Sequence, residues 1–318
     1  MTGVEVPAWP SLATGDPIVD EYVVLLGRPP IGNYLRFVRS LAVNGHAADQ
    51  ADLTAEWRRA NDHVRALEAK EVGIADNPPI GALPPDLEPL AAEVFRDPVL
   101  QQAFRLVPAR LALVDLDRLV VFQRHINLEY VEQLKARLGD RPTVEGVFRL
   151  ALSLDRTEPP VHRMQGPGTT FSFLCPSNDF RLLEPALLEP NQVQGLFSTG
   201  RPSGVIGLPV GFGSNCLNAL AIEERLILNN GSHRAYALRD LGLTEVPCLV
   251  QSLSTRDELE LVASGEFRQS PNRFLRTPRP PLLRDYFDPR LRKLVRVQRK
   301  NRLVRVQVTV EQIDLPAD

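Results

Sequence analysis

Cysteines and aromatic residues are scarce in this sequence, and each shortage excludes a class of protein. The 318 residues include three cysteines, Cys175, Cys216 and Cys248, which are far apart and form no CxxC pair. An odd number of scattered cysteines argues against a disulfide scaffold, and a reducing cytosol is the simplest setting. Aromatic residues make up 6% of the chain, which argues against a surface that stacks single-stranded bases. We therefore expect a cytoplasmic protein.

Long apolar runs and metal-ligand spacings are also missing. No run approaches the roughly 20 apolar residues that a membrane helix needs, and the first residues lack the basic and apolar segments of a signal peptide. The five histidines show no HxH or HExxH spacing, so we expect no structural zinc. The sequence thus predicts a protein without a membrane segment and without a bound structural metal.

The charge is small overall but unevenly distributed. The net charge is −2, whereas residues 266–306 carry thirteen Arg or Lys and three acidic residues. This stretch has a local charge of +10, so the rest of the chain carries −12. A basic tail on an acidic body either binds a polyanion or docks on the body. If the tail binds nucleic acid, the expected contacts are Arg292, Lys293, Arg296, Arg299, Lys300, Arg302 and Arg305.

Residues 1–107 are predicted to form a mostly helical N-terminal region. Residues 52–70 have the composition and apolar spacing of one long helix. Residues 20–38 contain apolar clusters broken by Arg28-Pro29-Pro30, which predicts two short helices. A further helix is expected over residues 90–106, after a Pro- and Gly-rich loop.

Residues 108–265 are predicted to form a core of strands and helices. A strand and a turn are expected over 109–122, and a helix over 128–138 begins at Asn127 and ends at Gly139. Residues 155–203 are rich in Pro, Gly and Ser and indicate an insertion. Further predicted elements are strands over 204–210, 219–228 (with a hairpin tip at 223–225) and 246–250, and a helix over 255–263 capped by Ser254.

Residues 266–318 are predicted to form a basic linker and a β-hairpin. The linker covers 271–289. Residues 293–298 and 303–310 alternate with period two, which predicts two paired strands with one apolar and one cationic face. The whole pattern is that of an α/β (α+β) protein with a helical N-terminal extension and a C-terminal β-hairpin.

The most informative run connects a predicted strand to a predicted helix. An apolar segment runs up to Asn229, and a turn follows at Asn230-Gly231. A predicted helix then opens with Ser232-His233-Arg234 and stops at Gly242. The first N–H groups of a helix have no partner within it, so this junction can bind an anion. The Asn-Gly pair is also typical of a two-residue hairpin turn, and both interpretations remain open at this stage.

The order of elements and several motifs resemble the ParB/sulfiredoxin superfamily. The residues that carry this resemblance are Leu119–Arg124, Tyr130–Leu134, Asn230–Ala237 and Gly242–Pro247. The resemblance covers about residues 108–253, interrupted by the insertion. It implies a ParB/sulfiredoxin-like core that holds nucleotide phosphates at the Gly-x-His-Arg turn. Its members include DNA-segregation proteins that bind CTP, sulfinic acid reductases, and ADP- or ATP-dependent serine kinases.

Three positions depart from the known branches. Ser232 stands where sulfiredoxins carry the nucleophilic cysteine, and Asn230 stands where the kinase-like members carry an aspartate. His233 stands where the segregation proteins carry an arginine. A shared fold does not transfer the chemistry of any one branch.

The candidate site residues are those that would surround a phosphate group at the turn. They are Asn230, Gly231, Ser232, His233 and Arg234, together with Gln123 and Arg124 from the segment that faces the turn in the resembling fold. Each has a structural alternative: Ser232 as a helix cap, His233 as a packed polar residue, Arg234 as an ion-pair partner, and Gln123 and Arg124 as a solvated turn. The expected ligand is a nucleotide or phosphorylated small molecule, with ATP, ADP or CTP and Mg²⁺ as candidates and hydrolysis or phosphoryl transfer as further hypotheses. The alternative is a non-catalytic module that binds nucleic acid or a partner through the basic residues.

Overall fold

The computed structural model describes residues 18–28, 30–139, 141–193, 195 and 200–316, which form two compact units. The core unit comprises the described residues between 18 and 156 and between 214 and 299. The accessory unit comprises those between 157 and 213 and those from 300 onwards. Residues 1–17 of the predicted helical N-terminal region lie outside the described residues.

The chain combines helices with several small sheets, which confirms the α+β class. The helices are α1 (Ile31–Leu41), α2 (Gln50–Lys70), α3 (Glu88–Arg96), α4 (Pro98–Ala103), α5 (Leu128–Leu138), α6 (Val144–Leu152), α7 (Ser232–Asp240), α8 (Arg256–Val262), α9 (Gly265–Gln269) and α10 (Asn272–Leu275). The strands are β1 (Val19–Leu25), β2 (Ile80–Gly81), β3 (Ala109–Asp115), β4 (His125–Asn127), β5 (His162–Gln165), β6 (Thr170–Cys175), β7 (Phe180–Leu182), β8 (Ala186–Leu188), β9 (Val205–Gly207), β10 (Val210–Phe212), β11 (Asn218–Ile222), β12 (Arg225–Asn230), β13 (Glu245–Leu253), β14 (Arg292–Gln298) and β15 (Arg302–Gln307).

The core unit is built on a five-stranded sheet in the order β12-β11-β13-β3-β2. Strands β11 and β12 form the hairpin predicted around Glu223-Glu224, and β11 pairs in parallel with β13. Strand β13 is buried along most of its length, because both neighbouring strands and the packed helices cover it. This strand is therefore a near-continuous apolar run, as expected for a strand covered on both faces.

Helices α5, α6 and α7 pack together on this sheet, and two of them follow local sequence signals closely. The Asn127 side chain accepts a hydrogen bond from the Tyr130 N–H at 3.1 Å, and α5 ends at Gly139 as predicted. Helix α7 begins after Gly231 and ends just before Gly242. Helix α8 begins at Arg256 and is capped by the Thr255 hydroxyl, so the predicted cap at Ser254 is wrong by one position.

The N-terminal region differs from its prediction at two places. Residues 20–38 form strand β1 and helix α1, not two helices, because β1 gains hydrogen-bonded neighbours on both sides from β14 and β4. The helix predicted over 90–106 is divided into α3 and α4 at Asp97-Pro98, where the proline disfavours helical backbone at the preceding residue. The long helix α2 is confirmed.

The predicted C-terminal β-hairpin is wrong. Strand β14 pairs with β1 in the core unit, whereas β15 pairs with β6 in the accessory unit. The period-two pattern correctly marks both segments as strands, with Val295 and Val297 buried on one face of β14. The pattern does not specify the partner, and distant strands supply it in both cases.

The predicted linker over 271–289 is also wrong, because it is folded onto the core unit. It contains α10 and a 3-10 helix over Leu283–Phe287. Arg279 in this segment is 1% exposed and donates two hydrogen bonds of 2.5 Å to the buried Asp285. Glu71 of the α2 C-terminal cap accepts from Arg279 at 2.9 Å. The basic segment thus docks on the body through Glu71, which also binds Arg284.

The accessory unit contains the predicted insertion and consists of small antiparallel sheets. The strand orders are β15-β6-β5, β10-β7 and β8-β9. The rings of Phe173, Phe180 and Phe212 pack together in this unit, and Phe180 is 1% exposed. No helix in the described part of the chain is both long and apolar enough to cross a bilayer.

Candidate functional site

The turn between β12 and α7 has the strand-to-helix geometry that the sequence favours, and the hairpin-turn alternative is wrong. Gly231 adopts a left-handed conformation with φ of 84°. A Cβ at this position would lie 2.8 Å from Leu217 Cα, so the backbones approach too closely for a side chain. The Asn230 side chain accepts from the Gly231 N–H at 2.8 Å. Asn230 therefore shapes the turn.

Helix α7 has no side-chain cap at its N-terminus. Gly231 is the N-cap residue and Ser232 is the first helical residue, so the predicted role of Ser232 as a cap is wrong. The Ala235 N–H is bonded to the Gly231 carbonyl, and the three preceding N–H groups have no partner within the helix. The first turn of α7 thus presents donors in the way that the anion hypothesis requires.

His233 connects α7 to β4 and is neutral. Its Nε2 accepts a hydrogen bond from the Asn127 N–H at 3.0 Å, and the Tyr130 ring packs edge-on against the imidazole. Burial, assisted by the charges of His125 and Arg234, lowers the pKa of His233 from 6.5 to about 4. Because Nε2 accepts, the ring proton is on Nδ1. His233 therefore cannot contribute a positive charge at neutral pH.

This lowered pKa predicts a pH-dependent loss of stability that depends on His233. Between pH 6.5 and 4 the unfolded chain binds a proton that the folded chain excludes, so stability falls as the pH falls through this window. The contribution is about 2–3 kcal/mol. In His233→Gln, the side-chain oxygen keeps an acceptor for Asn127 and cannot titrate. We expect the variant to lose less stability than the wild type between pH 7 and pH 4 in urea denaturation. Parallel pH profiles for the two proteins would contradict this assignment.

Arg234 is 3% exposed, and its guanidinium binds the C-terminal end of α6. It donates to the Leu150 carbonyl at 2.9 Å, to Ser153 Oγ at 2.9 Å and to Asn215 Oδ1 at 3.0 Å. The predicted ion-pair alternative for Arg234 has no support among these partners, all of which are neutral. This guanidinium holds α6 and α7 together.

Gln123 and Arg124 precede β4, and both have partners in the core unit. The Gln123 carbonyl accepts from the Tyr286 hydroxyl at 2.8 Å, while its side-chain oxygen is buried without a hydrogen bond among the described residues. Arg124 donates twice to one Glu266 oxygen, at 2.6 and 2.9 Å. Gln123 and Arg124 therefore belong to an ordered segment, in contrast to the solvated turn that was the structural alternative for them.

The structure brings the two predicted halves of the site together. The Asn127–His233 hydrogen bond joins β4 to the first turn of α7. On the other side, Ser264 Oγ donates to Asn229 Oδ1 at 3.1 Å, and Glu266, two residues later, binds Arg124. The segment of Gln123 and Arg124 thus lies beside the β12–α7 turn.

A cavity of about 320 Å³ opens next to this junction. Arg124 and His125 line one side of it, and α1 and β1 line the rest. The His125 ring lies between Tyr22 and Phe37, with centroids 5.5 and 5.0 Å away. The residues of α1 that face the cavity are Asn33, Tyr34, Arg36, Phe37, Ser40 and Leu41. None of these residues is among the candidates predicted from the sequence, because no part of the chain before residue 108 carries the resemblance.

The seven basic C-terminal candidates do not form one surface of one sheet. Lys293 pairs with Glu56 at 2.5 Å, and Arg299 pairs with the buried Asp20 at 2.5 Å. Arg292 donates to the Tyr286 carbonyl, and Arg296 lies on the exposed face of β14. Lys300, Arg302 and Arg305 belong to the accessory unit. The predicted hairpin would place Arg296 and Arg305 together on its cationic face. This prediction is wrong, because β14 and β15 lie in different sheets.

Comparison of the chain with protein-family models, with curated proteins and with solved structures finds no match. Within the described residues, no group of three or more His, Cys, Asp or Glu side chains is arranged to hold a metal ion.

Proposed function

We propose that this chain binds a phosphorylated small ligand, with ATP, ADP or CTP as candidates, in the cavity beside β4 and α7. The observation that carries the proposal is the cavity of about 320 Å³ lined by Arg124 and His125. These residues belong to the segment that contacts the first turn of α7. The ParB/sulfiredoxin-like character of the core is part of the same proposal, supported by the order of elements and by the Gly231 turn.

The lining of the cavity suits a ligand with an anionic end and a flat, less polar end. The cations Arg36 and Arg124 and the amide of Asn33 face it. The Phe37 and His125 rings supply flat surfaces. A few polar groups in a largely apolar concave site are typical of small-molecule binding, and the volume is at the lower end of the roughly 300–1,000 Å³ range for such sites.

We propose ligand binding at this cavity, and hydrolysis or phosphoryl transfer there stays a separate prediction. Glu266, the carboxylate next to Arg124, is held by both Arg124 and Arg273, so it is not free to act as a general base. The Nε2 of His233 already accepts a hydrogen bond from the Asn127 N–H, so this nitrogen is not free to accept a proton from a substrate. If Mg²⁺ accompanies a nucleotide, the nucleotide phosphates supply its anionic ligands.

We expect Arg124→Gln to weaken ligand binding about tenfold to a hundredfold, because a charge-assisted hydrogen bond contributes ~1.5–3 kcal/mol. The measurement is a thermal-shift panel of ATP, ADP, CTP, GTP and NAD with Mg²⁺, followed by calorimetry with the best ligand. A ligand at ~100 times its Kd adds about 2.7 kcal/mol of stability.

The matched control is Glu266→Gln, which breaks the same ion pair but leaves the arginine in place. We expect this variant to bind the ligand at least as tightly as the wild type. Equal losses in both variants would show that Arg124 acts only on the structure. No shift with any compound in the panel would contradict the proposal.

Nucleic-acid or partner binding by the basic C-terminal residues stays a prediction. The ion pairs of Lys293 and Arg299 favour docking of this segment on the core unit. Steep salt dependence of DNA binding, with a slope of about −0.9 per phosphate contact, would support the polyanion alternative.

A further inference from the structure

A second cavity, of about 180 Å³, lies where α5, α6 and α7 meet. It is distinct from the cavity at Arg124, and none of its lining residues is shared with that one. Four arginines line it, from the end of α5, from α6, from the segment after α6 and from α7. They are Arg137, Arg149, Arg156 and Arg234.

The charged side chains that line this cavity are mostly positive. Asp155 is the one carboxylate among the described residues that line the cavity. It is bound by Arg149 at 3.1 Å, and Arg149 is also held by Glu145 at 2.9 Å. Arg149 is therefore neutralised by the chain itself. The positive charges of Arg137 and Arg234 face the cavity.

Arg234 is the decisive residue because the hydrogen-bond partners of its buried charge within the described part of the chain are all neutral. Its side chain, on a residue 3% exposed, binds a carbonyl, an amide oxygen and a hydroxyl. A guanidinium has five N–H donors, and these contacts use one from each nitrogen, which leaves one on each terminal nitrogen. Burial lowers the pKa of Arg234, and the charges of Arg137 and Arg156 act in the same direction. A buried charge without a counter-charge is unfavourable.

The N-terminal end of the nine-residue helix α6 also lines this cavity. Its lining residues there are the N-cap residue Thr143 and Gly146, whose N–H donates to the Thr143 hydroxyl at 3.0 Å. The N-terminal end of a helix carries partial positive charge, which favours anions. Ser153, which closes α6 in a left-handed conformation, lines the cavity and also accepts from Arg234.

We propose that this arginine-lined cavity is a separate anion site that takes a single phosphate group, either free phosphate or the phosphate of a phosphomonoester. The volume of about 180 Å³ accommodates one such oxyanion, whereas drug-sized ligands occupy pockets of roughly 300–1,000 Å³. Guanidinium groups match the oxygen geometry of phosphate and bind it with two parallel hydrogen bonds. The bound anion supplies the counter-charge for Arg234.

The test uses the full chain and two probes, inorganic phosphate and glycerol 3-phosphate, with chloride at matched ionic strength as the reference. Binding is measured by thermal shift and by calorimetry. We expect phosphate to raise the melting temperature beyond the effect of chloride. A response to both probes assigns the site to free phosphate, and a response to the ester alone assigns it to a phosphorylated ligand. Either response supports the site, and equal melting temperatures in all three salts overturn it.

The decisive variant is Arg137→Gln, because Arg137 is exposed at the end of α5 and its replacement leaves the core intact. The matched control is Arg141→Gln, which removes the same charge from an exposed residue outside the cavity. We expect about a tenfold rise in Kd for the responding probe in the first variant and less than twofold in the second. Equal effects would show general electrostatics only and would overturn the proposal. Failure of the nucleotide proposal is visible separately, because Arg124→Gln alters the other cavity.

Discussion

Asp285→Ala is expected to destabilise the core unit by about 3–5 kcal/mol, because it leaves the Arg279 guanidinium buried without its main counter-charge. The two side chains are 2% and 4% exposed, and two hydrogen bonds of 2.5 Å join them. The Asp285 carboxylate also accepts from the Leu282 N–H at 2.9 Å, which fixes the turn before the 3-10 helix. Chemical denaturation followed by circular dichroism measures the loss.

The control removes a carboxylate from an exposed ion pair. Glu132, 64% exposed on its side chain, pairs with Lys135 on α5. We expect Glu132→Ala to change stability by less than about 1 kcal/mol, since exposed pairs contribute little. If Asp285→Ala were no more destabilising than Glu132→Ala, the buried Arg279–Asp285 pair would not stabilise the fold of the basic segment.

The partners of the basic segment on the body are distant in sequence, so the sequence alone does not decide what the segment binds. The local charge of +10 allowed either polyanion binding or docking, and composition alone does not choose between them. The choice depends on partners that are far away in the chain, such as Glu71 for Arg279 and Asp20 for Arg299. Only the folded chain places these carboxylates next to the arginines.

Elements with local signals were predictable, and elements defined by distant partners were not. Helix α5 has its cap at Asn127 and its end at Gly139, so its prediction is confirmed. Strand β1 is stabilised by β14, more than 260 residues later, and its own sequence resembles a short helix. Tertiary pairing overrides local propensity in such segments.

The candidate site likewise has one part with a local sequence signal and another part that distant residues form. The turn at Gly231 was predictable because an Asn-Gly pair between a strand and a helix is a local pattern. The α1 side of the cavity was not, since Arg36 and Phe37 meet His125 only through the pairing of β1 with β4. The neutral state of His233 also depends on tertiary structure, because burial is the main cause of its lowered pKa.

Gly231→Ala is expected to lower the stability of the core unit by about 2–5 kcal/mol, with two physical causes. The first is the left-handed backbone, with φ of 84°, which costs a residue with a Cβ roughly 1–2 kcal/mol. The second is the clash of the new Cβ with Leu217 Cα at 2.8 Å and with the Cys216 carbonyl oxygen at 3.1 Å. Overpacking against backbone that cannot shift costs a further ~1–3 kcal/mol.

Gly242→Ala separates these two causes. Gly242 has nearly the same backbone, with φ of 86°, but a Cβ there would meet nothing within 4 Å. It therefore measures the backbone cost alone, about 1–2 kcal/mol. Urea denaturation of the two variants gives the difference, which is the cost of the close approach at the β12–α7 turn. Calorimetry with the responding nucleotide should show weaker binding for Gly231→Ala and unchanged binding for Gly242→Ala, because only Gly231 sets the position of the first turn of α7. Equal stability losses in the two variants would mean that the approach to Leu217 relaxes freely and that the turn does not need glycine for space.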